Sequence, residues 1–99
     1  MKTIGSIQIE YRQVMDQANK LGDCAEDLAR LQRQIDMLVS DLKGGWEGES
    51  ANLYFQKCME LSAKIKKSQN NLEQTANVIR KSARAYRDAE MEAIKIAQN

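Results

Sequence analysis

Every seventh residue from Ile7 is apolar through the first two fifths of the chain: Ile7, Val14, Leu21, Leu28, Ile35 and Leu42. Between them runs a second set, Ile4, Tyr11, Ala18, Ala25, Gln32 and Val39, with Gln32 its one polar interruption. Spacings of three and four bring residues onto one face of an α-helix, whose turn is 3.6 residues, and onto no face of a strand. The stripe predicts a first helix over about residues 6–42. Ser6 is its candidate N-cap, with Glu10 in the first turn. Gly44 or Gly45 is the candidate residue beyond its C-terminus, in the left-handed conformation that glycine enters freely.

The second half repeats the pattern. One row reads Ala51, Cys58, Ile65, Leu72, Ile79, Tyr86 and Ala93, and a companion reads Tyr54, Leu61, Ser68, Thr75, Ser82, Ala89 and Ile96. They predict a second helix over about residues 49–96, closely approached where the companion row is small and hydroxylated. With only residues 43–48 between them, two helices this long form an antiparallel hairpin, a single all-α domain over residues 1–99. Val14, Leu21, Leu28, Ile35, Leu61, Ile65, Leu72 and Ile79 are expected to form the core or dimer seam. Further apolar residues flank it, namely Cys24, Leu31, Leu38, Phe55 and Met59. A stripe that wide exceeds what a two-helix seam covers, so a dimer closing into a four-helix bundle is expected.

Composition narrows the picture. The 99 residues contain no proline and no histidine, and the core must be aliphatic because only Trp46, Phe55 and three tyrosines are aromatic. The net charge of +1 argues against a polyanionic partner, although it is unevenly spread. Residues 6–42 carry four basic and seven acidic side chains, and residues 49–96 carry nine and six, which suits segments that pack together or on a second copy. The cluster Arg80, Lys81, Arg84 and Arg87 around Tyr86 is therefore read as a helix face rather than a nucleic-acid patch. No stretch approaches the ~18 apolar residues of a membrane span, and the start, M-K-T-I-G-S-I-Q-I-E-Y-R-Q, has no secretory h-region.

Chemistry is sparse. Two cysteines without histidine cannot complete a zinc site, and no metal or other cofactor is expected. Counting back from the turn sets Cys58 opposite Gln34, too far from Cys24 for a disulfide, so both are expected as free, partly buried thiols. The glycine segment lacks the lysine and hydroxyl of a phosphate loop, and the carboxylates stand at solvent-facing positions. No catalytic residue is identified, and the chain is read as a non-enzyme.

One stretch stands apart. K-G-G-W-E-G-E-S, residues 43–50, places the chain's one tryptophan among three of its five glycines. An indole there can fold over the end of the seam. The pattern is more specific than that: W-E-G at the midpoint of a proline-free helical hairpin of about one hundred residues resembles the WXG family of small bacterial proteins, the ESAT-like substrates of type VII secretion. Trp46 and Gly48 match that family's Trp-X-Gly turn. Near the end, Y-R-D-A-E places Tyr86 and Glu90 four apart, matching its Tyr-X-X-X-Asp/Glu export motif.

The resemblance implies a homodimer, or a heterodimer with another WXG-type protein, in which two hairpins lie head to tail. Trp46 of one copy would then neighbour Tyr86 and Glu90 of its mate. It further implies recognition by a type VII secretion ATPase, export without a cleaved signal peptide, and service as carrier or partner of a larger toxin or effector. The alternative is a cytoplasmic helical adaptor or coiled-coil module unconnected with secretion.

Overall fold

A computed structural model describes residues 2–98. Helix α1 runs Ile4–Lys43 and helix α2 runs Glu49–Gln98, and no strand occurs among the described residues. Helix α1 starts two residues before Ser6, because Thr3 rather than Ser6 caps it. The Ser6 amide donates to Thr3 Oγ1 at 3.1 Å and the Thr3 amide donates to Ser6 Oγ at 2.9 Å. This reciprocal pair is a capping box with serine at its fourth position, and it satisfies amides that the helix itself leaves open. Glu10 consequently lies beyond the first turn, which contains no acid.

The turn also departs from expectation. Neither Gly44 nor Gly45 takes a positive φ. The chain instead tightens, with the Gly44 amide on the Asp41 carbonyl (3.3 Å), Gly45 on Leu42 (3.1 Å) and Trp46 on Leu42 (2.8 Å). The first two bonds span three residues rather than four and close the helix without a left-handed residue, while the Trp46 bond keeps the ordinary α-helical span. Among the described residues the glycine with positive φ is Gly48, at 115°, and its carbonyl accepts the Asn52 amide at 3.0 Å to open α2. Glu49 in the first turn of α2, and Lys43 and Lys95 in the last turns of the two helices, complement the helix dipoles.

Residues 23–72 form one compact unit, and the chain up to Gly22 with the chain from Glu73 forms another. Each is an antiparallel pair of helix segments. In the first, Val39, Ala51 and Phe55 make a buried cluster, with Leu42 and Cys58 packed against it, and Ala25 is buried as well. Ser62 is buried too, and its hydroxyl donates to Asp36 Oδ1 at 3.0 Å, so burial leaves no polar atom unpaired there. In the second, Ile7, Ala18 and Ala76 are buried, the Arg87 guanidinium lies 4.3 Å over the Tyr11 ring, and Arg80 Nε donates to Asn19 Oδ1 at 3.1 Å.

These contacts correct the second helix's companion row by one residue. Tyr54, Leu61, Ser68, Thr75, Ser82, Ala89 and Ile96 all face outward, with Leu61 50% exposed. The inward positions are Phe55, Ser62, Gln69, Ala76, Ala83 and Glu90, four rather than three residues past Ala51, Cys58, Ile65, Leu72, Ile79 and Tyr86. Both choices share a three-four rhythm, and only packing against α1 separates them. Phe55, expected as a flanking residue, is therefore core. The seam residues divide accordingly: Leu21, Leu28, Ile35, Ile65, Leu72 and Ile79 are half-buried, whereas Val14 and Leu61 are exposed.

The register moves the cysteines as well. Asp36 meets Ser62, and Cys58 packs on the Val39 cluster, level with residues near 40 and not with Gln34. About sixteen helical residues, or ~24 Å, then separate that level from Cys24. Both thiols are free, with Cys24 exposed rather than partly buried.

Candidate functional site

Two surfaces gather the residues singled out in the sequence. The first is the turn. Trp46 leaves α1 on the amide bond to Leu42, and the bend at Gly48 brings the first turns of α2 beside it. Its ring lies 5.4 Å from Tyr54 and 5.8 Å from Phe55, and Tyr54 and Phe55 are themselves 6.3 Å apart and edge-on. Such tilted and edge-to-face pairs add about 0.5–1.5 kcal/mol each beyond their buried area. The indole thus packs edge-on with the core residue Phe55, while 39% of Trp46 stays open. Lys43 Nζ sits 5.5 Å from the centre of the Phe55 ring. The tryptophan is held in place without being enclosed.

Tyr54 has a second neighbour one turn on. Its pKa is raised above the ordinary phenol value, first by the charge of Cys58, then by a side-chain hydrogen bond to Cys58, then by partial desolvation. Negative charge at Cys58 opposes a second negative charge on the neighbouring phenol.

Beside this cluster runs an apolar face. Asp36 and Lys43 of α1 meet Ser62 and Phe55 of α2 on one side of the helix pair. Helical spacing puts Cys24, Leu31 and Leu38 on the other side of α1, and Tyr54 and Leu61 on the same side of α2. All five are exposed. Cys24, Leu31 and Leu38 were expected as flanking residues; Tyr54 and Leu61 join them because of the shifted row.

The second surface lies on α2 within the other unit. Tyr86 is 47% exposed, so it does not simply complete a buried row. Glu90, one turn later, is half-buried. Lys2 joins them: its ammonium lies 4.3 Å over the Tyr86 ring, 3.9 Å from Glu90 Oε1 and 3.6 Å from Glu10 Oε2. Alongside runs an open groove of about 330 Å³ lined by Glu10, Tyr11, Gln13, Val14, Ala83 and Tyr86. Sequence reasoning missed Lys2 altogether. No periodicity marks a lysine that precedes the helix, and its partners Tyr86 and Glu90 are far from it in sequence.

Of the basic cluster near Tyr86, Arg80 and Arg87 are absorbed by the fold. Arg80 bonds Asn19 and, through Nη1, Asn77 Oδ1 at 2.9 Å; Arg87 covers Tyr11 and bonds Asp88 at 3.0 Å. Lys81 and Arg84 face solvent. No group of three or more His, Cys, Asp or Glu side chains suited to a metal ion occurs among the described residues, and no described helix is long and apolar enough to cross a membrane.

An all-α chain of two long helices, joined through a Trp-X-Gly turn that requires its glycine and half-exposes its tryptophan, defines a recognisable class. The chain belongs to the WXG100 family, described as proteins of 100 residues with WXG, whose model matches residues 6–91. The match takes in Trp46, Gly48, Tyr86 and Glu90. It is a family of small helical proteins associated with secretion, whose members typically pair with each other. No curated protein and no solved structure matches the chain.

Proposed function

We propose that this protein is a non-enzymatic substrate of a bacterial type VII secretion system, exported as a dimer and serving as carrier or partner of a larger effector. The observation that carries the reading is the placement of a half-exposed Tyr86 and Glu90 together on one face of α2, inside the family match. A buried tyrosine would have served packing alone.

Dimerisation is supported by incomplete burial. Its seam residues are largely half-buried, and so remain open to a second chain. The exposed Leu31, Leu38 and Leu61 supply an apolar surface for a second hairpin. In a head-to-tail pairing, the Trp46 cluster of one copy stands beside Tyr86 and Glu90 of its mate. The export ATPase then reads a composite surface, with an acid and two aromatic rings as its anchors.

The test is Glu90→Ala in the native host. The dimer should persist, because a partly exposed ion pair contributes no more than about 1 kcal/mol. The variant should accumulate inside cells and vanish from the culture supernatant, where the intact wild-type chain is found. A soluble Glu90→Ala dimer exported normally would refute the motif assignment and favour the cytoplasmic adaptor reading.

A further inference from the structure

The Tyr86–Glu90 pair is already occupied by a cation from its own chain. We propose that Lys2 is an internal stand-in for a cationic side chain, arginine or lysine, that a partner presents to this site, and that binding requires Lys2 to be displaced. The proposal rests on the export reading above and supplies the partner's chemistry.

Three groups converge on the Lys2 ammonium: the face of the Tyr86 ring and the carboxylates of Glu10 and Glu90. An aromatic face with two acids is a cation receptor by construction, since the ring quadrupole and both charges have the same sign of preference. The capping box between Thr3 and Ser6 fixes the backbone immediately after Lys2. The clasp is also weak enough to open. Lys2 remains 40% exposed and its carboxylate distances are 3.6 and 3.9 Å, longer than a charge-assisted hydrogen bond.

The neighbouring groove defines the rest of the ligand. Tyr11, Val14, Ala83 and Tyr86 give it an apolar lining, and Glu10 stands at its rim beside Lys2. A segment that lays an apolar side chain along Val14 and Ala83, and follows it with a cation, matches both parts. Glu10 and Glu90 would then pair with the incoming charge, and Lys2 would swing into water at little cost.

Two measurements test this. Peptide-level mass spectrometry after brief treatment with an amine-acetylating reagent should show Lys2 reacting several-fold more slowly than Lys57, whose side chain is 79% exposed. Glu90→Gln should remove much of that protection. Equal rates in the unaltered protein would overturn the clasp. In the native host, Lys2→Gln should raise the supernatant-to-cell ratio about two- to fivefold, the range that competition from one exposed ion pair allows. Lys2→Arg, which keeps the cation, should export as the unaltered protein does. Blocked export of Glu90→Ala with unchanged or reduced export of Lys2→Gln would refute the displacement and leave the export reading standing. Normal export of Glu90→Ala would remove both.

Discussion

Gly48 offers the most direct measure of what the turn demands. Its φ of 115° lies where L-residues seldom go, and nothing stands within 4 Å of where a Cβ would project. Gly48→Ala therefore adds no clash with neighbours, and its whole cost is backbone strain, about 1–3 kcal/mol. Gly45 is the matched control. It shares the open surroundings but not the positive φ, so Gly45→Ala should gain about 0.4–1 kcal/mol by restricting the unfolded chain. Two alanines three residues apart should thus shift stability in opposite directions and differ by about 1.4–4 kcal/mol.

Urea unfolding at one fixed protein concentration reads the difference, the concentration being fixed because self-association would otherwise shift the midpoint. A loss of ~2 kcal/mol lowers the melting temperature of a domain this size by about 8–16 °C. Tryptophan emission is a second readout, since a turn that relaxes the strain must shift Trp46 from Phe55. A D-alanine placed at position 48 by semisynthesis should be tolerated, because its handedness favours positive φ. Equal stability of the two L-alanine variants, or a penalty for D-alanine matching that for L-alanine, would refute the argument.

Other outcomes follow from the packing. Phe55→Ala should cost about 3–5 kcal/mol in urea unfolding, whereas Leu61→Ala should cost the chain under ~1 kcal/mol and weaken self-association in sedimentation; equal costs would put the wrong row inside. Gly22→Ala should stabilise by less than the ~1 kcal/mol of helix propensity, because its Cβ would meet Arg80 Nη2 at 3.1 Å and loosen the bond to Asn19. The full gain should return in an Arg80→Ala background, and identical gains in both would exclude the coupling. In a spectrophotometric titration one tyrosine should ionise late, and Cys58→Ala should bring it back to the ordinary range. The folded chain holds that proton more tightly than the unfolded one, so this tyrosine's contribution to stability is constant below pH ~10 and falls as pH rises beyond it. Three coincident tyrosine titrations in the unaltered protein would contradict the Tyr54–Cys58 interaction.

Much of this protein is legible in its sequence. Apolar residues at three and four, the absence of proline and a glycine-rich break between two long stripes leave little but a helical hairpin. The Trp-X-Gly and Tyr-X-X-X-Glu patterns were legible because each occupies a few adjacent residues, and the family match contains both. Lys2 was not, because a single lysine before a helix has meaning only once something across the fold receives it.

The limit of local pattern shows most clearly along α2. Tyr54 and Leu61 look more like core than Ser62 and Gln69, and hydropathy alone puts them inside. The helix itself is indifferent, since three residues and four residues both return to the same face. Antiparallel packing against α1 decides, turning Phe55 onto Val39, giving buried Ser62 a carboxylate in Asp36, and leaving Leu61 outside. The turn divides the same way: sequence sets three glycines together, but which one must be glycine depends on the φ that joining two packed helices imposes. Sequence by itself determined that there are two helices and where they break, because helix periodicity and chain breaking are properties of neighbouring residues. The tertiary structure decided which face is buried and which is offered to a partner, because burial belongs to pairs of surfaces and no single stripe contains its own complement.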